Sequence, residues 1–500
     1  AQYFFGGAES GAAVDYTVQG TPYSFNYDGA GYYSWGIPDA DAGSGEFYYY
    51  GASTVTSGTL TLDASGQAVI EFPATLQDVT QSVLFTIEAT VTDESGQAVS
   101  GRAEVIGHKG LLYVGVRPTE YVVSAGDEAQ FDLIAVGWDS QPIADQPLHI
   151  EVVERQWSSV QEQDDYGRTV WTSEVDEIPV TTGTATTGAD GTAQFSFTPD
   201  HAGTYKVRVS TTDSADNTII AANTIWVSGT NYVAWRQQNS NRIDLVADKR
   251  DYAIGDTAQI LIASPFQGES EALITVERGG VLSAERVTMD SNSYVYELPI
   301  SEDFAPTVYV SVMIIHGVDE TNPVAAFRSG LVQLNVENTR KLITLDISTD
   351  VAQAGPGDTV NYTIRATDYA GEPAQAEIGV SVTDLAVLTL ADPNSVDMRD
   401  FFYGTIPLSV FTSTPLTINV DQATQTIFET IKGGGGGGGD GGIFDIREEF
   451  VDTPYWNATL VTDADGVITF SVTLPDNLTT WRLDARAVTS GADGNTLVGE

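Results

Sequence analysis

The sequence predicts an all-β chain: tandem β-sandwich domains of the immunoglobulin-like kind, with one flexible glycine-rich insertion. Three observations carry this. Apolar and polar residues alternate with period two in segment after segment, and turns rich in Gly, Asp and Ser separate those segments. A Gly-Asp turn leading into an alternating strand recurs at Gly126-Asp127, Gly255-Asp256 and Gly357-Asp358, at domain-sized spacings of 129 and 102 residues.

Taken in order, residues 1–107 are dense in aromatics, from Tyr3 through Tyr16, Tyr23, Phe25, Tyr32-Tyr33 and Trp35 to Tyr48-Tyr-Tyr50. Turns at Asp63-Ala-Ser-Gly66 and Asp93-Glu-Ser-Gly96 set off strands such as Ala68 to Phe72 and Leu84 to Val91, so the region reads as one sandwich. Residues 108–232 form a second. Leu148, Ile150 and Val152, then Ala193, Phe195 and Phe197, then Tyr205, Val207 and Val209 take the core side of their strands, with Gln194, Ser196, Lys206 and Arg208 opposite. Asp190-Gly191 marks a tight turn, and the charged stretch Glu154 to Glu177, carrying Trp157 and Trp171, reads as a long hairpin. Residues 233–338 repeat the plan through Ile260 to Ile262 and Ile274 to Val281. Residues 339–500 open with Leu342 to Ile347 and continue through Val360, Tyr362 and Ile364. Helix is confined to short pieces at Val396 to Phe402 and Ala423 to Ile431.

The last region is interrupted. About residues 405–447 the alternation gives way to Ser/Thr/Pro-rich sequence and then to Lys432 followed by seven glycines, Gly433 to Gly439. Glycine loses the most backbone freedom on ordering and has no side chain to bury, so this stretch is expected to be mobile and exposed, as a linker or as a segment a protease can thread. Lys432 is the only basic residue between Arg399 and Arg447. Lys432-Gly433 is therefore the candidate tryptic cut, with Phe428 and Phe444 the candidates for chymotrypsin-like enzymes.

Composition excludes several functions. The 500 residues carry 69 acidic against 22 basic side chains, a formal charge of −47 that repels nucleic acid phosphates. There is no cysteine, hence no disulfide, thiolate metal site or cysteine nucleophile. No transmembrane run of about 18 apolar residues occurs. With Ala1 first and Glu500 last, the chain reads as an internal cut from a longer protein.

No catalytic or metal site is expected, and no cofactor. The four histidines, His108, His149, His201 and His316, are scattered and none has a metal-ligand spacing. Asp463-Ala-Asp465-Gly466 resembles the start of a calcium loop, but Leu474 stands where the bidentate carboxylate is needed, so a hairpin turn is expected. Asp39-Ala-Asp41 fails in the same way at Tyr50. The sequons at Asn361, Asn457 and Asn477 read as turn and strand residues.

Beyond the glycines, Tyr455-Trp456, Thr462-Asp-Ala-Asp-Gly466 and Leu474-Pro-Asp-Asn-Leu-Thr-Thr-Trp481 resemble the signature that follows the bait region in α2-macroglobulins, the bacterial ones in particular. Glu277 to Leu282 with Ser301 to Val308 is similar to that family's fifth macroglobulin-like domain, and Val382 to Leu388 with Phe401 to Tyr403 to the sixth. The resemblance covers essentially the whole chain. It implies macroglobulin-like domains three to six, the last split by the bait at about 405–447. It also implies a broad-spectrum protease inhibitor, not an enzyme: endopeptidases are its partners, bait cleavage triggers conformational trapping, and the setting is extracellular, periplasmic or cell-surface. A family thioester, if the parent has one, would lie beyond Glu500, and oligomeric state is left open. Two alternatives stand beside this. One is an extracellular adhesive or surface-layer rod of tandem immunoglobulin-like domains with a glycine hinge, whose sandwiches would each close before the next begins. The other is an array of polysaccharide-binding modules, suggested by the aromatics near Tyr32 and Tyr48.

Overall fold

The computed structural model describes residues 1–3, 6–37, 53–76, 81–93, 95–163, 169–237, 240–318, 325–389, 396–412, 452–477, 479–489 and 496–500. Strands dominate, and the two α-helices among these residues are four and six residues long.

Four antiparallel strands make the first sheet: β1 (Ala13–Pro22), β2 (Ser53–Thr61), β3 (Val83–Thr92) and β4 (Ala98–Gly107), in the order β2-β1-β3-β4. Two expectations change here. Ala68 to Phe72 is not a strand: the Phe72 ring packs on Phe85 of β3 at 5.4 Å, which lays the segment over the sheet's face, away from a strand edge with which it could pair. The aromatics Tyr23 to Trp35 do not supply a second layer for this sheet. They pack on the next unit, where Phe25 stacks on Tyr113 at 4.0 Å and Ser34 exchanges backbone hydrogen bonds with Val116 (3.0 and 3.1 Å).

The second unit has eight strands: β5 (Tyr113–Pro118), β6 (Val122–Ser124), β7 (Ala129–Val136), β8 (Pro147–Gln163), β9 (Thr169–Thr186), β10 (Thr192–Phe197), β11 (Gly203–Thr212) and β12 (Thr218–Ser228). They form two sheets, β10-β7-β5 and β6-β12-β11-β8-β9. Leu148, Ile150, Val152, Tyr205, Val207 and Val209 point between them into one core, with Phe131, Leu133 and Phe197 from the facing sheet. The predicted long hairpin is β8 with β9, paired from Pro147↔Thr186 to Gln163↔Thr169.

The third unit repeats this plan strand for strand: β13 (Leu245–Ala247), β14 (Asp251–Tyr252), β15 (Thr257–Ala263), β16 (Ser270–Glu277), β17 (Val281–Met289), β18 (Ser293–Pro299), β19 (Thr307–His316) and β20 (Ala326–Val336). Its sheets are β13-β15-β18 and β14-β20-β19-β16-β17. The run Ile260-Leu261-Ile262 is buried on both faces. Ile260 and Ile262 enter their own core, while Leu261 packs outward with Val122, Ala202, Val233 and Trp235 at the junction with the second unit.

The fourth unit contains β21 (Thr344–Thr349), β22 (Thr359–Thr367), β23 (Glu377–Asp384), α1 (Leu385–Leu388), α2 (Met398–Tyr403), β24 (Tyr455–Val461), β25 (Val467–Thr473), β26 (Trp481–Val488) and β27 (Val498–Gly499). Its sheets are β21-β22-β25 and β24-β23-β26-β27. The helix expected from Val396 is α2, capped by Asp397, whose carboxylate accepts the Asp400 N–H at 2.9 Å. Ala423 to Ile431 lies outside the described residues.

The recurring Gly-Asp turn explains the repeat. Gly126, Gly255 and Gly357 have φ of 93°, 100° and 81°, a region that favours glycine. Their N–H groups donate to Pro199, Ile300 and Leu474 respectively, at 2.8, 2.9 and 2.9 Å. Each acceptor lies just past the outer strand of its own three-stranded sheet, β10, β18 or β25. In the fourth unit that strand comes after the glycines.

Candidate functional site

Comparison of the fourth unit with the complete second and third units locates the insertion. β8 with β9 and β16 with β17 are hairpins, the second closed by Arg278, Gly279 and Gly280 alone. In the fourth unit the corresponding pair is β23 with β24, from Glu377↔Val461 to Val382↔Tyr455, and residues 385–454 take the place of the turn. The glycine-rich stretch is thus the expanded loop of one hairpin.

The base of that loop is pinned. The Asp384 N–H donates to the Asp452 carbonyl at 2.9 Å, joining the outgoing and returning chain directly. The Asp384 carboxylate caps α1 through the Ala386 N–H (2.8 Å) and accepts the Thr479 hydroxyl (2.6 Å), and the Leu385 N–H donates to the Thr480 carbonyl at 2.9 Å. The Thr479 hydroxyl first, with the Ala386 N–H, holds the Asp384 carboxyl below its ordinary pKa. So Thr479-Thr480 of the motif ending at Trp481 contacts the exit of β23. Sequence reasoning singled out both segments and missed that they touch. The signal was an Asp directly before Leu-Ala-Val-Leu, which is helix-cap chemistry.

Past α1 the outgoing chain runs back over the third unit. The Tyr403 hydroxyl donates to the Thr496 carbonyl, and the Tyr403 carbonyl accepts from the Asn338 side chain at 2.7 Å. The Ile406 carbonyl accepts the Tyr309 hydroxyl at 3.1 Å, and the Ser409 N–H donates to the Arg278 carbonyl at 3.0 Å. Phe401, Phe402 and Phe411 remain exposed along this path, Phe411 fully so. The candidate cleavage residues Phe428, Lys432, Gly433 and Phe444 all lie outside the described residues.

The other sequence candidates have ordinary structural roles. The Asp463 carboxylate accepts the N–H groups of Asp465 (3.0 Å) and Val467 (2.8 Å) in a hairpin turn closed by Gly466 at φ 72°, so its lone pairs serve its own backbone. His108 stacks on Trp138 at 4.1 Å, and His316 on Phe266 at 4.7 Å. Among the described residues no group of three His, Cys, Asp or Glu side chains is placed to hold a metal ion.

Three family models match. Residues 115–227 match one described as bacterial macroglobulin domain 6, residues 243–390 the alpha-2-macroglobulin bait region domain, and residues 453–495 the alpha-2-macroglobulin family. The chain belongs to the alpha-2-macroglobulin family. The interval between the last two matches, 391–452, falls within the expanded hairpin loop. The model for domain 6 falls on the second of the four units, whereas the resemblance had counted the fourth unit as the sixth domain. An alpha-2-macroglobulin homolog of Nostoc sp. is 23% identical over 430 residues, 85% of this chain and 22% of its own length. The alpha-2-macroglobulin of Ralstonia nicotianae is 30% identical over 328 residues, 62% of this chain and 20% of its own. The chain thus spans about a fifth of the length of these relatives. The native conformation of E. coli alpha-2-macroglobulin aligns over 100% of this chain and 31% of its own, at 16% identity and a TM-score of 0.38.

Proposed function

We propose that this chain is the bait-presenting part of a broad-spectrum protease inhibitor, in which cleavage within residues 405–447 triggers conformational trapping of the attacking endopeptidase. The observation that carries the reading is the geometry of the loop base. The insertion leaves by β23 and returns by its neighbour β24, with Asp384 bonded to Asp452, so a cut inside it breaks one peptide bond and none of the ladder pairings among the described residues. The fold then survives long enough for a cut to act as a signal. The chain serves as substrate and spring, not as catalyst, and its four units are macroglobulin-like domains bounded near residues 107, 232 and 338. Meeting foreign or host endopeptidases requires an extracellular, periplasmic or cell-surface location. The hinged-rod alternative needs the fourth sandwich to close before the glycines, and β24, β25 and β26 follow them.

Brief digestion with N-terminal sequencing tests this. Trypsin should cut first at Lys432-Gly433 and chymotrypsin-like enzymes at Phe428 or Phe444. First cuts within the four units, with 405–447 intact, would refute bait presentation.

A further inference from the structure

A second site lies at the junction of the second and third units, far in sequence from the insertion. The strap between the units is fixed on both sides. The Trp235 indole N–H donates to the Asn292 carbonyl (2.7 Å), while the Gln237 N–H donates to the Ser159 hydroxyl (3.2 Å) on the long β8–β9 hairpin. Between strap, hairpin and third unit opens a cleft with two adjoining chambers of about 140 and 330 Å³, which share Trp157, Trp235 and Arg328 in their walls. The larger lies at the small end of the ~300–1,000 Å³ range usual for small-molecule sites, and domain junctions are where such sites concentrate.

Its lining is the opposite of the chain's composition. In a molecule of formal charge −47 with only 22 Lys and Arg, the first chamber collects four arginines, Arg155, Arg236, Arg242 and Arg328, against one carboxylate, Asp244. Arg155 and Arg236 lie over the Trp157 ring at 4.9 and 5.1 Å. Arg328 is half-buried, lies over Phe266 at 5.5 Å, and spends Nη1 on the Phe327 carbonyl (2.9 Å) and Asn241 (3.4 Å). Among the described residues no carboxylate stands within ion-pair distance of it, and burial alone pushes its guanidinium below the ordinary arginine pKa. A charge withdrawn from water is normally matched by a counter-charge. Trp171, in the wall of the larger chamber, adds a further aromatic side chain.

We infer that this cleft binds a small planar aromatic anion, its carboxylate or sulfonate on Arg328 and its ring among Trp157, Trp171 and Trp235. Guanidinium suits both parts of such a ligand, since it grips a carboxylate through paired N–H donors and tolerates an aromatic face beside it. Because the pocket is built from both units and the strap, an occupant would hold the two units at a fixed angle.

Isothermal titration calorimetry of the whole chain with 1-naphthoate, and with the neutral isostere 1-naphthamide, tests the inference. Naphthoate should bind with one-to-one stoichiometry and a submillimolar dissociation constant, and naphthamide at least about tenfold more weakly, the loss expected for one charge-assisted contact. Arg328→Gln should weaken naphthoate by a similar factor and leave naphthamide unchanged. Trp171→Ala, which leaves the charge in place, should weaken both. Equal affinity for the two probes, no binding of either, or naphthoate affinity unchanged in either variant would overturn the proposal.

Discussion

A cut at Lys432 should leave the molecule whole, and the interface that holds it can be weakened at one residue. β25 pairs with β22 from Thr359↔Thr473 to Arg365↔Val467, and β26 with β23 from Glu377↔Val488 to Asp384↔Trp481, so the piece after the cut lies in both sheets of the fourth unit. Leu474 closes one end of that core: it is 7% exposed and clusters with Val360, Tyr362 and Val382 from before the cut and Val472 from after it. Truncating a buried leucine to alanine costs about 2–4 kcal/mol in a site that relaxes partially, equivalent to roughly 30- to 1,000-fold in an association constant. In the uncut chain Leu474→Ala should lower the melting temperature and change nothing in gel filtration. After trypsin the unsubstituted protein should still elute as one species on dilution, whereas nicked Leu474→Ala should shed Gly433–Glu500 at concentrations where the unsubstituted form holds. Release of that piece from the unsubstituted nicked protein at micromolar concentration would show the pairing to be too weak for a bait, and the reasoning would fail.

Other outcomes follow from particular contacts. Burial would push the Asp213 carboxyl up, but the Asn217 side chain and the N–H groups of Leu111, Asn217 and Ala215 outweigh it and hold the pKa at about 2. Asp213 therefore contributes stability that is fully present above its unfolded value of about 3.9 and lost as pH falls through its folded one. Denaturant titrations should show Asp213→Asn less stable than the parent at pH 7, with the gap narrowing progressively as pH falls through about 2. Gly357→Ala meets open space but keeps φ at +81°, so chemical denaturation should register a loss of about 1 kcal/mol of backbone strain. Thr479→Val removes the hydroxyl that Asp384 accepts, and amide exchange at Ala386 and Leu385 should accelerate while the β22–β25 ladder stays protected.

Much of the fold was legible because the sandwich strands are amphipathic. Tyr205, Val207 and Val209 alternate with Lys206 and Arg208, and the structure buries the first set in the core while Arg208 pairs with Glu151 and Glu177 on the other face. Glycine with positive φ was equally readable, since Gly126, Gly255 and Gly357 mark the same turn three times. Apart from Ala68 to Phe72, which lies over the first sheet without joining it, what failed were places where one unit leans on another. The aromatics Tyr23 to Trp35 carry the right strand chemistry, but period-two patterning does not say whose sheet they cover, and they cover β5 and β7 of the next unit. Leu261 is buried between two flanking core residues for the same reason: its contacts are across a junction. The Arg/Trp cleft was not legible, because its walls are drawn from stretches as far apart as Arg155 and Arg328.

The position of the insertion has an energetic logic of its own. In each complete unit the strand that ends the hairpin, β9 or β17, is the outermost strand of its five-stranded sheet, so a longer loop there projects from an edge without displacing a neighbour. Replacing the three-residue turn 278–280 by the loop 385–454 raises the closure entropy by only about 3 kcal/mol, because that cost grows with the logarithm of length. Part of that is offset where the base is fixed, at Asp384 to Asp452, at the cap on α1, and along the third unit through Ile406 and Ser409. Cleavage releases the closure constraint while β25 and β26 keep their places in the sheets. The anchors along the third unit, at Tyr403, Ile406 and Ser409, are single hydrogen bonds outside the strand ladders. A cut would accordingly free the stretch from Tyr403 to Phe411 before it disturbed any strand, and that stretch carries the exposed phenylalanine Phe411.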